Sequence, residues 1–126
     1  MPANKAMKIL VVDDQETMRV SIKSILRALE FKNIDYAENG EEAYQMLTKG
    51  EFDFLITDWM MPKMTGMELL KKIRSDAKLS KLPVLMLTAE GKQDNIMEAI
   101  KAKVSNYVVK PFDAKTLDNK INQIFR

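Results

Sequence analysis

The chain has 126 residues, of which 46% are hydrophobic and 30% charged, which is ordinary for a globular domain and excludes a disordered or fibrous chain. Its 20 basic and 18 acidic side chains leave a net charge of only +2, so nucleic-acid binding gains little support. Because cysteine and histidine are both absent, disulfides, thiolate metal sites and histidine-dependent catalytic pairs are excluded. Any chemistry must use carboxylates, hydroxyls and lysines.

The length is that of one domain, and we expect a single domain over residues 1–126, with its core at about 7–126 and no output domain. The first ten residues, MPANKAMKIL, contain no apolar signal core. No segment approaches the ~20 apolar residues that cross a bilayer. We therefore expect a cytoplasmic protein.

The chain alternates five times between a strand pattern and a helix pattern. Short apolar runs predict strands at residues 8–12 (KILVV), 34–37 (IDYA), 52–57 (FDFLIT), 83–88 (PVLMLT) and 107–109 (YVV). Helical spacing follows each run in turn, at 18–29, near 41–48, 66–75 and 92–102, and at 117–125. Several strands are continuously apolar, which is typical of strands covered on both faces. This alternation predicts an α/β fold, in which a parallel sheet with right-handed crossovers carries helices on both faces.

Polar side chains stand at the carboxyl ends of four predicted strands, the edge where ligands bind in such sheets. Asp13 and Asp14 follow the first strand, and Asp58, Thr88 and Lys110 stand at the ends of the third, fourth and fifth. Carboxylates held close together raise each other's pKa unless a cation lies among them, and oxygen ligands favour Mg²⁺. An aspartate beside Mg²⁺ can accept a phosphoryl group, while a lysine and a threonine bond its oxygens.

Each of these residues has an ordinary structural alternative when it is considered alone. Asp14 or Thr17 could cap the next helix, and Thr88 could cap the helix after the fourth strand. Lys110 could be solvated, and Asp58 could be a turn residue. Their joint placement at one edge of the sheet favours the functional interpretation.

Over nearly its full length the chain resembles response-regulator receiver domains, and most closely the single-domain chemotaxis regulators among them. The matching stretches are ILVVDDQETMR (9–19), FLITDWMMPKMTGMELLKKIR (54–74), LPVLMLTAE (82–90) and YVVKPF (107–112). The resemblance implies a flavodoxin-like, five-stranded parallel sheet with the strand order 2-1-3-4-5.

The same resemblance implies a role for each residue at the strand ends. Asp58 is the phosphoacceptor, and a histidine kinase is the donor. Lys110 pairs with the phosphoryl group, Thr88 moves to bond it, and the peptide between Lys110 and Pro111 is cis. The implied cofactor is Mg²⁺, and its implied ligands are Asp13, Asp14, Asp58 and the main-chain carbonyl of Met60.

The resemblance also implies a partner face on the fourth helix, fifth strand and fifth helix of a monomer. Tyr107 matches a switch ring that turns inward as Thr88 shifts, although a strand tyrosine is more commonly an ordinary surface-packed aromatic. The flagellar motor switch and a phosphatase are the implied partners, with no nucleic acid and no membrane insertion. The other residues assigned to this face are Glu90, Gly91, Lys92, Lys103 and Lys120.

The sequence departs from the family pattern at several positions. Met60 stands two residues after Asp58, where close relatives often carry asparagine, so we expect a changed dephosphorylation rate. Glu30 and Lys103 stand where the family usually has glycine after a helix, so either the helix ends differ or these residues carry mild strain. Gly91 adds backbone freedom at the start of the fourth helix.

Four functions compete on these observations. The leading one is a phosphorylation-switched, protein-binding regulator that is not a turnover enzyme, and the second is a phosphate sink or a non-chemotaxis regulator. An Mg²⁺-dependent phosphotransferase or phosphatase would need a substrate pocket and a covering cap, for which the chain has no insertion. A carrier of FMN is disfavoured because the acidic edge would repel the flavin phosphate.

Overall fold

The computed structural model describes residues 4–89 and 93–125 of the chain. Within them strands and helices alternate strictly: β1 (Lys8–Val12), α1 (Glu16–Ala28), β2 (Asn33–Ala37), α2 (Gly40–Lys49), β3 (Phe54–Asp58), α3 (Gly66–Ser75), β4 (Val84–Ala89), α4 (Gln93–Lys101), β5 (Asn106–Lys110) and α5 (Ala114–Phe125). The strands are parallel and lie in the order β2-β1-β3-β4-β5. The predicted fold class and strand order are both confirmed. In these two ranges no helix has the length and apolar character needed to cross a membrane.

The differences from the predicted elements lie at their ends. The sequence places the third strand at residues 52–57, but β3 begins at Phe54 and includes Asp58. Asp53 stands outside it. Its backbone N–H donates to the Lys8 carbonyl, but the Lys8 N–H bonds the Asp53 side-chain carboxylate instead of a main-chain carbonyl, both at 2.8 Å. The helix predicted near 92–102 is described over 93–101.

Alternate residues of each strand enter two separate cores, one on each face of the sheet. Leu10 and Val12 of β1 belong to the core that α2, α3 and α4 cover, whereas Ile9 and Val11 belong to the core under α1 and α5. All four side chains are fully buried. Because both faces are covered, the strand sequences are continuously apolar.

The loop after β3 folds back tightly onto the end of that strand. The Gly66 N–H donates to the Trp59 carbonyl at 2.8 Å, and a Cβ on Gly66 would overlap the Asp58 carbonyl oxygen, so only glycine fits without a shift. α3 then begins with a capping box, in which the side chains of Thr65 and Glu68 accept from each other's backbone N–H at 3.1 and 3.0 Å. These contacts fix the main chain around Asp58.

Candidate functional site

The carboxyl ends of β1, β3 and β5 bring one ammonium group against two buried carboxylates. Lys110 Nζ lies 2.8 Å from Asp58 Oδ1 and 3.7 Å from Asp13 Oδ2. Asp58 Oδ1 also accepts a hydrogen bond from the main-chain N–H of Trp59 at 2.9 Å, whereas no described residue donates to Asp58 Oδ2. One oxygen of Asp58 is therefore held by two donors, and the other keeps its lone pairs for a reaction partner. The peptide between Lys110 and Pro111 is cis, as the resemblance implies.

Three carboxylates converge at this edge. Asp13, Asp14 and Asp58 each offer one oxygen, and these oxygens lie within 4.8 Å of one another. Burial raises the pKa of Asp13 above its ordinary value, and the charges of Asp58 and Asp14 act in the same direction, against the Gln15 N–H and Lys110. Asp13 Oδ2 is buried without a hydrogen-bond partner in the part of the chain that the structure describes. This oxygen, which accepts no hydrogen bond from the described residues and has the Lys110 ammonium 3.7 Å away, belongs to an all-carboxylate set that fits a hard divalent cation such as Mg²⁺.

Arg19 supports the main chain of Asp13, a role that the sequence pattern did not reveal. Its Nη1 donates to the Asp13 carbonyl at 2.7 Å, and its Nη2 lies 3.7 Å from the Glu38 carboxylate. The Gln15 N–H meanwhile donates to Asp13 Oδ1 at 2.9 Å. Arg19 stands three residues before the buried Ile22, on the apolar stripe of α1. A charged residue at a core-facing helical position is the signal that could have singled it out.

Thr88 and Met60 differ sharply in exposure. Thr88 lies within β4, one position past Leu87, which pairs with Asp58 in the sheet register. It is 1% exposed, and its Oγ1 has no hydrogen-bond partner among the described residues. A buried, unpaired hydroxyl is unfavourable, so this group is available to an acceptor that arrives at the edge. The Met60 side chain is 68% exposed in the loop after β3.

The structural alternatives for these residues do not hold. The N-cap of α1 is Gln15, whose side chain makes no capping bond, so neither Asp14 nor Thr17 caps that helix. Thr88 is a strand residue and no helix cap. Lys110 is bonded rather than solvated, and Asp58 ends a strand rather than forming a turn.

The residues predicted for the partner face are only partly described. Tyr107 packs half-buried against the core under α2, α3 and α4, and Lys120 Nζ lies 4.8 Å from the centre of its ring. Lys103 lies before β5, where its carbonyl accepts a hydrogen bond from Arg74 Nε at 3.0 Å. Three further residues assigned to this face lie outside the described ranges: Glu90, Gly91 and Lys92.

Positive backbone φ angles show which explanation of the missing glycines is correct. Glu30 and Lys103 have φ angles of 77° and 66°, each two residues after the last residue of α1 or α4. The helices therefore end as they do in the family pattern, and these two residues carry the strain, about 1 kcal/mol each relative to glycine. Lys63, in the loop after β3, has a φ of 67° that the sequence did not predict.

Comparisons with known proteins agree with this geometry. The family model described as the response regulator receiver domain matches residues 9–122. The chemotaxis protein CheY-3 of Vibrio cholerae is 55% identical over 122 residues, which cover 97% of this chain and 94% of that protein. The chemotaxis protein CheY of Pseudomonas aeruginosa is 56% identical over 119 residues, which cover 94% of this chain and 96% of that protein.

Solved structures give the same result at lower identity. The chemotaxis response regulator CheY4 of Vibrio cholerae has a TM-score of 0.86 and 31% identity, and the match covers 94% of this chain and 98% of that one. A response regulator receiver domain protein from Clostridium thermocellum has a TM-score of 0.84 and 32% identity, with 94% and 93% of the two chains covered. The likeness extends over almost the whole of each of these chains.

Proposed function

The chain belongs to the response regulator receiver domain family, and we propose that it is a phosphorylation-switched regulator of a two-component system. Asp58 is the phosphoacceptor in this proposal, and a phosphohistidine of a histidine kinase is the donor. The supporting observation is the environment of Asp58, where one oxygen is bonded to Lys110, the other receives no hydrogen bond from any described residue, and two further carboxylates lie close. The chemistry is limited to the chain's own phosphorylation and dephosphorylation, without turnover of a substrate.

Each residue of this edge has a separate part in the proposed transfer. Asp58 Oδ2 forms the bond to phosphorus as the bond to the donor's imidazole nitrogen breaks, and that nitrogen keeps the electron pair. Lys110 Nζ and the Thr88 hydroxyl donate to the phosphoryl oxygens. When bound, Mg²⁺ offsets the negative charge of the group, and the ligands that we assign to it are Asp13, Asp14, Asp58 and the main-chain carbonyl of Met60.

Incubation with a small acyl phosphate and Mg²⁺, followed by intact-mass measurement, tests this assignment. We expect the wild type to gain the mass of one phosphoryl group. The Asp58→Asn variant is expected to gain none, because an amide cannot take the place of the carboxylate nucleophile. An adduct that is absent from the wild type, or equally abundant in the variant, would overturn the site.

The proposed output is a change in the surface formed by α4, β5 and α5, which a partner protein recognises. Movement of the Thr88 hydroxyl toward a phosphoryl group at Asp58 lets the Tyr107 ring turn inward, away from the Lys120 ammonium that it now contacts. Since the relatives at 55% and 56% identity are chemotaxis proteins, we propose the flagellar motor switch as the partner.

Deletion of the gene in its native cell should change the frequency of swimming reversals. An unchanged frequency would instead favour a phosphate sink or a non-chemotaxis regulator.

A further inference from the structure

A strongly basic groove lies between the carboxyl-terminal ends of α3 and α4, away from Asp58. Its volume is about 680 Å³, and its lining contains no acidic residue. Two serines and one alanine complete the wall. The cationic residues that line it, here called the basic groove, are Lys71, Arg74, Lys81, Lys101 and Lys103.

None of the five cations of the basic groove takes part in an ion pair within the described part of the chain. The ion pairs found there use Lys8, Arg19, Lys78 and Lys110, none of which lines the groove. Five of the chain's 20 basic residues thus lie around one groove whose lining contains no acidic residue, which favours an anionic ligand.

Arg74 joins the backbone segments that form the groove. Its Nη1 donates to the Leu82 carbonyl at 2.7 Å and to the Ser80 carbonyl at 3.3 Å, and its Nε donates to the Lys103 carbonyl at 3.0 Å. These bonds join the end of α3 to the loop before β4 and to the segment after α4. These bonds hold the backbone segments that carry the lysines in fixed positions relative to one another, which lowers the entropy lost on binding.

Lys103 is held in a conformation that glycine would adopt with less strain. Its φ angle is 66°, in the left-handed region that side chains with a Cβ disfavour. A strained residue of this kind suggests a function that outweighs its loss of stability. At this position the side chain adds a fifth positive charge to the groove.

We propose that the basic groove binds an acidic, carboxylate-rich segment of a partner protein. The lining contains no aromatic ring on which a nucleic-acid base could stack and no large apolar side chain that could insert into a membrane. A cluster of flexible ammonium groups around a concave surface suits several carboxylates of an extended segment. The proposal does not depend on phosphorylation of Asp58.

Titration of a fluorescein-labelled hexaglutamate peptide, followed by fluorescence anisotropy, tests the proposal. The triple variant Lys81→Gln, Lys101→Gln, Lys103→Gln should bind the peptide about tenfold more weakly than the wild type. The chain offers a matched control in a second groove, lined by Lys5, Arg27 and Lys32 together with Glu30. Changing those three cations to glutamine removes the same charge and should leave the affinity nearly unchanged.

Lys103→Gly separates binding from folding. Because glycine relieves the strain, this variant should have a higher Tm than the wild type and yet bind the peptide more weakly. Equal weakening in the two triple variants would show a general charge effect and overturn the proposal. Tighter binding of a labelled oligothymidylate or of anionic phospholipid vesicles than of hexaglutamate would overturn it too.

Discussion

At the scale of single residues, Met60 is the departure from the family pattern nearest to the proposed phosphoacceptor, Asp58. Its side chain is 68% exposed, and a thioether is only a weak hydrogen-bond acceptor for water. Asparagine can bond and orient a water molecule beside Asp58, so we predict that Met60→Asn shortens the lifetime of the acyl phosphate several-fold. Loss of the phosphoryl mass after removal of the donor measures this lifetime. Met97→Asn, at a methionine of α4 that is 59% exposed, serves as the control. Equal lifetimes in Met60→Asn and the wild type would contradict the prediction.

Arg19 is expected to act on the proposed metal site through the main chain of Asp13. Loss of its 2.7 Å bond to the Asp13 carbonyl in Arg19→Met should weaken Mg²⁺ binding by about tenfold. Trp59, the one tryptophan of the chain, follows Asp58 directly and donates its main-chain N–H to that carboxylate, so its fluorescence should report the binding. Arg27→Met removes an exposed arginine from the same helix. If both variants weakened Mg²⁺ binding equally, the effect would be one of general charge and not of position.

The sequence could place the residues of the proposed site but not their hydrogen bonds. The end of each predicted strand brought Asp58 and Lys110 to one edge because parallel strands share a direction. Which oxygen of Asp58 remains without a donor depends on side-chain rotamers and on the Trp59 N–H, which no linear pattern encodes. The positive φ of Lys63 was missed because no expected glycine marked that position.

At the scale of elements, the loop from β3 to α3 depends on Gly66. A Cβ there would overlap the Asp58 carbonyl oxygen, so Gly66→Ala must shift the loop and should lower the free energy of unfolding by about 2 kcal/mol. The displaced backbone should also slow phosphorylation by acyl phosphate. At Gly50 a Cβ would lie 3.3 Å from the Met46 carbonyl oxygen, so Gly50→Ala is a milder control. Urea unfolding measures both variants, and equal stability of Gly66→Ala and the wild type would contradict the predicted overlap.

One hydrogen bond between α2 and the end of α3 gives a pH-dependent prediction. The Tyr44 hydroxyl donates to Asp76 Oδ2 at 2.7 Å, and this bond is the main cause that lowers the pKa of Asp76. A carboxylate with a lowered pKa stabilises the fold above its unfolded pKa, and this contribution is lost as the pH falls through the folded pKa.

Tyr44→Phe should therefore lower the Tm at pH 7 by about 3 °C. The difference from wild type should shrink as the pH falls below the ordinary carboxyl pKa of 3.8. Tyr36→Phe removes a hydroxyl that makes no hydrogen bond to the described residues, and it should leave the Tm unchanged. A Tyr44→Phe effect that stayed constant with pH would show that Asp76 is not involved.

Hydrophobic periodicity predicted the existence and order of the elements, because strands covered on both faces leave continuous apolar runs. Hydrophobic periodicity did not predict the ends of elements that are set by polar contacts, such as the two ends of β3. Asp53 exchanges two hydrogen bonds with Lys8 at the entrance to β3, and Asp58 is itself the last strand residue. Such contacts join distant parts of the chain, so local composition does not reveal them.

At the scale of the whole molecule, one acidic cluster and one basic groove lie at separate places. Carboxylates meet at the carboxyl ends of the strands, whereas five cations line the basic groove. The net charge of +2 conceals this separation. The basic groove was not predicted because its residues come from segments near 71–74, 81 and 101–103, which only the completed fold brings together.

The carboxylate edge should make the metal-free fold less stable than it could be. Asp13 is fully buried, and its Oδ2 lacks a hydrogen-bond partner in the described part of the chain. Because asparagine removes the buried charge and its repulsion by Asp58, Asp13→Asn should raise the free energy of unfolding by about 1 kcal/mol without Mg²⁺. Saturating Mg²⁺ should stabilise the wild type by mass action and the variant much less, so the difference should shrink or reverse. Urea unfolding followed by Trp59 fluorescence, with and without Mg²⁺, measures both effects, and a variant less stable than metal-free wild type would show that the repulsion at this edge does not limit stability.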